Sequence, residues 1–328
     1  MNTIRKVKIS GIGRYLPQKI ITNDYFQRYD IKADWILRKN GVRERRFIEE
    51  ETNASMGAAA AKEACAEAQL AVEELDLIIN ASGTPQQAIP DTAPLLQQEL
   101  GLGESGIPCM TVHTTCLSFL NGLDVASLYI DSGRYSRILV VSSEIASIGL
   151  NWQDPASCTL FGDLAAAVVV EKSDDTSQVC TTHFATYGVG AHYTEIRGCG
   201  TSYPPNAPHT KKEDSMFQMN GLRVLRMVKK HKTSFLEQLQ AGLSTSLCDI
   251  DWVVPHQASY MGLKFLKSFG WPEEQIIHTL EHLGNCIAAS IPATLYEGIR
   301  DKKIQRGDKV LLVGTGAGLS LGAVILRY

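Results

Sequence analysis

Two apolar strand patterns recur in this chain at one spacing, and that repetition limits the folds open to it more than any other feature. Leu75-Asp76-Leu77-Ile78-Ile79 is answered by Ile250-Asp251-Trp252-Val253-Val254, and Ser136-Arg137-Ile138-Leu139-Val140-Val141 by Asp308-Lys309-Val310-Leu311-Leu312-Val313, at offsets of 175 and 172 residues. Short continuous apolar runs of this kind read as strands buried on both faces, and the helical patterns between them make each copy an alternating α/β unit. At 328 residues the chain also exceeds what a single core usually holds. It is therefore read as two duplicated α/β halves, 1–173 and 174–328, with corresponding segments meeting at a seam where chemistry can draw on both.

The first half carries a nucleophile candidate at such a segment. Ile107 to Val112 is an apolar approach, Leu117 opens a helical pattern running to Asp131-Ser132-Gly133, and Cys116 stands at the junction. The apolar residues from Leu117 to Ile130 leave little polar face, so the helix is expected to be buried nearly all round. A thiol at its first turn faces unpaired N–H groups and the positive end of the helix dipole, both of which favour thiolate. Taken alone, Cys116 reads first as one more small apolar core residue, and the rest of the sequence has to argue for the nucleophile.

Composition narrows the classes. With 44% hydrophobic and 20% charged residues and a formal charge of −3, the chain is neither disordered nor built for nucleic acid. The eight cysteines show no C-x-x-C or zinc-knuckle spacing, so reduced thiols, a cytoplasmic location and no metal site are expected. No run reaches the 18 or so apolar residues of a membrane span. Residues 5–12 read as a strand followed by a turn at Gly11, Gly13 and Pro17, residues 54–70 as an alanine-rich helix, and Arg197 to Met219 as a long loop between the copies.

The second half holds partners for a thiol. His256 follows a buried strand and a proline, at the strand edge where α/β proteins place reactive groups. Asn285 follows Gly284 at an expected helix start, which also suits an N-cap. The glycine-rich segment Gly314-Thr315-Gly316-Ala317-Gly318-Leu319-Ser320-Leu321-Gly322 can be tight-turn chemistry, or backbone N–H groups held open toward an oxyanion. Together these residues suit acyl transfer through a thioester, with His256 and Asn285 as neutral donors to an enolate.

The order of these motifs resembles a known family. Cys116 at an apolar helix start, Val254-Pro255-His256-Gln257-Ala258, Gly284-Asn285 followed by Ala288-Ala289-Ser290 and Pro292, and the C-terminal glycines are similar to the thiolase-fold condensing enzymes, and most similar to ketoacyl synthase III. Asp34-Trp35-Ile36, Gly41 to Arg45 and Phe161-Gly162-Asp163 also resemble that family. The resemblance implies a homodimer with a five-layered αβαβα fold. It implies Cys116 as acylated nucleophile, His256 and Asn285 as the decarboxylation and enolate pair, and the backbone of Cys116 and Ala317 as the oxyanion site. It further implies coenzyme A contacts from Trp35, Arg38 and Lys39, and Ile89 offered to the partner subunit's acyl pocket. Acyl-CoA and a malonyl thioester are then substrates, an acyl carrier protein is a possible partner, and no resident cofactor is needed.

There are departures from that pattern. Lys39 stands where the family has an arginine for coenzyme A, and Met261 where it often has an arginine used by the carrier, with Lys264 and Lys267 as substitutes. Non-decarboxylative head-to-head joining of two acyl-CoAs, acyl transfer to a small amine or alcohol, and a non-catalytic partner subunit stay open as alternatives. A head-to-head enzyme needs a carboxylate base; Ile89 supplies none, and Glu99 and Glu144 are the candidates left.

Overall fold

The computed structural model describes residues 4–328. In its first half the elements are β1 (Val7–Tyr15), β2 (Lys19–Thr22), α1 (Ala33–Asn40), β3 (Glu44–Phe47), α2 (Asn53–Glu67), β4 (Leu77–Asn80), α3 (Thr92–Glu99), β5 (Cys109–Thr111), α4 (Ser118–Asp131), β6 (Arg137–Glu144), α5 (Pro155–Cys158) and β7 (Leu164–Lys172). There follow β8 (Gln178–Thr186), β9 (Thr194–Glu195), β10 (Gln218–Met219), α6 (Gly221–Ala241), β11 (Trp252–Pro255), α7 (Tyr260–Leu266), α8 (Leu280–Leu283), α9 (Ser290–Arg300), β12 (Lys309–Gly316) and β13 (Ser320–Arg327).

The repeat seen in the sequence is a repeat of topology. One sheet runs β1-β7-β6-β4-β5 and the other β8-β13-β12-β11. In each, the strand carrying the first motif lies parallel to the strand carrying the second (β4 with β6, β11 with β12), and the two strands that follow in the order are added antiparallel. Helices α4 and α9 lie between the sheets: Leu120, Leu123, Ile291 and Leu295 share one core with Ile79, Val140 and Val168 of the first sheet and Val254, Leu312 and Val324 of the second. Outside the first sheet α2 and α3 bury Met56, Ala60, Ala64 and Leu96, and outside the second α6 buries Val228, Phe235 and Leu239 with Phe265 and Leu266 of α7 packed against that cluster. The layers are therefore α, β, α, β, α, the thiolase architecture.

Two local expectations change. Gly11 and Gly13 do not turn the chain; both lie inside β1. A Cβ on them would sit 2.0 Å from the Ala64 carbonyl oxygen and 2.2 Å from that of Ala60, so the glycines are there to let α2 lie directly on the strand. Helix α4 is not buried all round either: Leu128 is 49% exposed and Asn121, Asp124 and Val125 are half-buried. The long connection Arg197 to Met219 is tied down by an Arg197–Asp214 ion pair (2.6 Å) and by β10 pairing with β9. Among the described residues no helix is long and apolar enough to cross a membrane.

Candidate active site

The duplication extends to the turns that lead into the two central helices. Residues Thr115–Leu117 form a single 3₁₀ turn before α4, and Ile287–Ala289 form one before α9. Each turn opens on a β-branched residue at positive φ, Thr115 at 52° and Ile287 at 49°, a conformation such residues adopt only under constraint, at roughly 1–3 kcal/mol. A serine at the corresponding position holds each: the Ser118 hydroxyl accepts the Thr114 N–H at 3.0 Å, and the Ser290 hydroxyl accepts the Cys286 N–H at 3.0 Å. The thiol thus stands on one copy of this strained turn, and Asn285 stands two residues before the other, its Oδ1 bonded to the Ile287 N–H that opens it.

Cys116 is half-buried on the first turn, one turn ahead of α4 proper. Burial, and after it the charge of Glu144, push its thiol up to about 12; the N–H groups of Cys116 itself and Ala317 and the Thr115 hydroxyl pull the other way. The expected resting thiolate is therefore a thiol, because desolvation outweighs the amides. Those two amides are the ones expected to form the oxyanion site, and they do face the sulfur.

His256 follows β11, its N–H bonded to the Val313 carbonyl at 2.8 Å, and is 6% exposed. Burial lowers the imidazole to about 4 against the opposing pull of the Ile287 carbonyl, and Nδ1 is buried with no hydrogen-bond partner among the described residues. The ring is neutral at physiological pH, able to give one hydrogen bond and to accept a proton. Asn285 is 5% exposed, its backbone N–H bonded to the Leu160 carbonyl at 2.9 Å. Its Oδ1 accepts the Ile287 N–H at 2.9 Å, which is the capping half of the expectation. Nδ2 donates a long bond to the Ala258 carbonyl at 3.5 Å, which leaves its second N–H as a donor.

A cavity of about 450 Å³ runs from His256, Gly314 and Thr315 outward between α6 and α7 to Lys39, Leu222 and Met261. It brings Lys39 to the wall but not Arg38, and leaves Trp35 one helical turn away on the same face of α1, packed beside Phe26 and Ile31. Ile89 does not line it, and is 87% exposed on the loop before α3. Of the substitutes for the missing arginine, Lys267 is engaged with Glu273 and Lys264 lies over the Tyr260 ring at 4.3 Å. Sequence alone does not place Glu144; the structure buries it fully at the end of β6, where its charge acts on the thiol, whereas Glu99 is exposed. The hint available was its position at the carboxyl end of a buried parallel strand.

Two sheets around a pair of buried helices, each entered by a matched turn, define a thiolase-fold protein. Family models for 3-oxoacyl-[acyl-carrier-protein] synthase III match residues 110–188 and, for its C-terminal part, residues 240–328. The chain is 35% identical over 323 residues to the β-ketoacyl-[acyl-carrier-protein] synthase III of Aquifex aeolicus, covering 98% of this chain and 99% of that one, and 34% identical over 332 residues to that of Methylococcus capsulatus, covering 99% of each. The crystal structure of the Aquifex aeolicus enzyme superposes with a TM-score of 0.88 at 34% identity, over 98% of this chain and all (100%) of that one. A priming β-ketosynthase of a polyketide pathway superposes with a TM-score of 0.88 at 25% identity, over 99% and 97% of the two chains. The chain belongs to the β-ketoacyl-[acyl-carrier-protein] synthase III family, and is an acyltransferase.

Proposed function

We propose that the protein condenses an acyl-CoA primer with a malonyl thioester, with loss of CO2, to give a 3-oxoacyl thioester. The observation that carries this reading is the pair of matched turns, one presenting the Cys116 thiol and the other held at its start by the Asn285 amide, with the buried, neutral His256 imidazole drawn toward the Ile287 carbonyl of that second turn. In acylation the Cys116 sulfur attacks the acyl carbonyl, its proton passes to the neutral His256 ring and on to the departing CoA sulfur, and the amides of Cys116 and Ala317 hold the tetrahedral oxygen. The malonyl thioester then places its carbonyl on Asn285 Nδ2 and the His256 N–H. Its carboxylate leaves as CO2, and the enolate held by those two donors attacks the acyl carbon and expels Cys116 as a thiolate, which takes a proton from water to restore the resting thiol. Neutral donors suit this step, because the negative charge they stabilise moves from carboxylate to enolate oxygen within one bound molecule.

The finer assignments belong to the same proposal. Lys39 takes an anionic part of coenzyme A at the cavity mouth, with Arg38 and Trp35 beyond it. The second thioester is carried by an acyl carrier protein, whose docking the basic helix face of Arg226, Lys229 and Lys230 favours on charge. The enzyme is a homodimer in which Ile89 reaches the partner's acyl pocket, and it works in the cytoplasm without a resident cofactor or metal. The test is release of labelled CO2 from malonyl thioester labelled at the free carboxyl. Release that requires acyl-CoA and intact Asn285 supports decarboxylative condensation; product without CO2 release means head-to-head joining.

A further inference from the structure

The two sheets present equivalent outer surfaces, and only one of them is filled. Val141 and Ser143 of β6 correspond, at the 172-residue offset of the repeat, to Val313 and Thr315 of β12. In the first half α2 lies directly on that surface: a Cβ on Gly57 would be 3.2 Å from Val141 Cγ1, 3.2 Å from Leu96 Cδ1 of α3 and 3.5 Å from Ser143 Cβ. In the second half Val313 and Thr315, with Leu321 of the paired strand β13, line the cavity of about 450 Å³ instead. Val228 and Phe235 of α6, and Phe269 just after α7, stand over them. Protein interiors are close-packed, and an apolar space of this size forfeits contacts on every wall. Its retention where the other copy is filled points to an occupant that arrives with a substrate.

The lining fixes the chemistry of that occupant. Lys39, Leu222 and Met261 are exposed at the mouth, whereas Val228, Phe235, Val313 and Leu321 are buried. The charged side chains further in are already engaged: Asp154 accepts the Ala156 N–H at 3.1 Å, and Lys232 donates to the Ser268 carbonyl at 2.7 Å with its Nζ 5.1 Å from the centre of the Phe269 ring. The pantetheine arm of a thioester carries two amides and a hydroxyl, which would lose hydrogen bonds among these walls; a hydrocarbon chain loses none. Of Cys116, His256 and Asn285, only His256 is among the described residues that line the cavity. In the proposed reaction the primer sits on Cys116 while His256 holds the second thioester, so the chain belongs to the second thioester. A malonyl thioester gives up one carboxyl as CO2 and presents the other as its thioester carbonyl, which leaves the carbon between them to carry a chain.

We propose that the inner part of this cavity binds an alkyl chain on the second thioester, so that the extender is a 2-alkylmalonyl thioester. The proposal deepens the condensation reading and rests on it. The bond from the central carbon to the free carboxylate breaks and CO2 leaves. Its electron pair, held as an enolate by His256 and Asn285, forms the bond to the acyl carbon, and the Cys116 sulfur leaves with the electrons of its C–S bond. The product is a 2-alkyl-3-oxoacyl thioester.

The experiment is calorimetric titration of Cys116→Ala, which has no thiol to react with a 3-oxoacyl thioester, with 3-oxobutanoyl-CoA and its 2-butyl derivative. Each buried methylene is worth roughly three- to fourfold in affinity, so the butyl compound should bind roughly tenfold tighter or more. Adding Val228→Phe, which fills the inner cavity, should bring the ratio of the two affinities below about threefold. If that variant does not fold, as judged by its melting curve, Phe235→Leu lengthens the space and should move the preference to a longer chain. Equal affinities in Cys116→Ala, a ratio that neither variant moves, or no binding of either compound would overturn the proposal. So would a Val228→Phe enzyme with Cys116 intact that loads a shorter range of acyl-CoA primers, because the space would then serve the primer. Binding needs no turnover, so a failure of the condensation reading is seen separately, as missing CO2 release.

Discussion

Gly314→Ala is the perturbation whose consequence can be followed furthest from the structure. An alanine Cβ there would lie 2.7 Å from His256 Cβ, 3.2 Å from Leu117 Cδ2 and 3.6 Å from Ile291 Cδ1. Carbon contacts settle at about 3.5–4.0 Å, so the His256 contact must open by roughly 1 Å. That carbon is not a flexible tip: it hangs on a backbone whose N–H is bonded to Val313 at 2.8 Å, one residue before the substituted position. The displacement therefore passes into the imidazole, and a shift of about 1 Å in a reacting group is worth roughly 10²-fold in rate. Overpacking adds about 1–3 kcal/mol of destabilisation, which leaves the chain folded at room temperature. Discharge of preformed acyl-enzyme by malonyl thioester, measured in a single turnover, should fall by about that 10²-fold. Acylation of Cys116 should fall less, because Leu117 gives way from a looser contact. A discharge rate within about threefold of wild type in a folded variant would refute the reasoning that β12 sets the position of His256.

Further outcomes follow from the same geometry. Cys116→Ala should show no covalent acylation in intact-protein mass spectrometry, while Asn285→Ala should acylate normally and fail to condense. Lys39→Ala should raise KM for acyl-CoA by roughly tenfold with little change in kcat, the loss of one charge-assisted contact, read from initial rates. Because His256 is lowered from 6.5 to about 4 in the folded chain, the unfolded chain binds the extra proton first as pH falls. Stability is therefore lost between pH 6.5 and 4, by about 3 kcal/mol from this residue. Urea midpoints at pH 7 and 4.5 should converge more in His256→Asn than in wild type, and equal acid sensitivity in the two would contradict the lowered value.

Much of the architecture could be read from apolar strands, because a strand buried on both faces writes itself as a short continuous run. That is why β4, β6, β11 and β12 and their duplication were visible, and with them the seam. The thiol, imidazole and amide are legible for a different reason: Cys116 stands at the junction of an apolar approach and a helical pattern, His256 follows Pro255 and Asn285 follows Gly284. Gly11 and Gly13 misled because the same residue serves turns and close packing, and only the Ala60 and Ala64 carbonyls across the gap distinguish the uses. The sequence points to a resting thiolate at Cys116 because it shows the helix that favours one, but neither the desolvation of the sulfur nor the Glu144 charge that acts against it. Glu144 is held by donors at Gly83 and Thr84, far from it in sequence. The strained pair Thr115 and Ile287 lies 172 residues apart, the offset of the second strand repeat, so the repeat pointed to it although neither residue type did.

The most direct test of the central claim is intact-protein mass spectrometry of the wild type, first with a panel of acyl-CoAs and then with malonyl thioester added. The expected result is a single acyl mass gain, mapped to Cys116, that disappears as a 3-oxoacyl thioester is released. An adduct on another residue, or one that malonyl thioester leaves untouched, would contradict it.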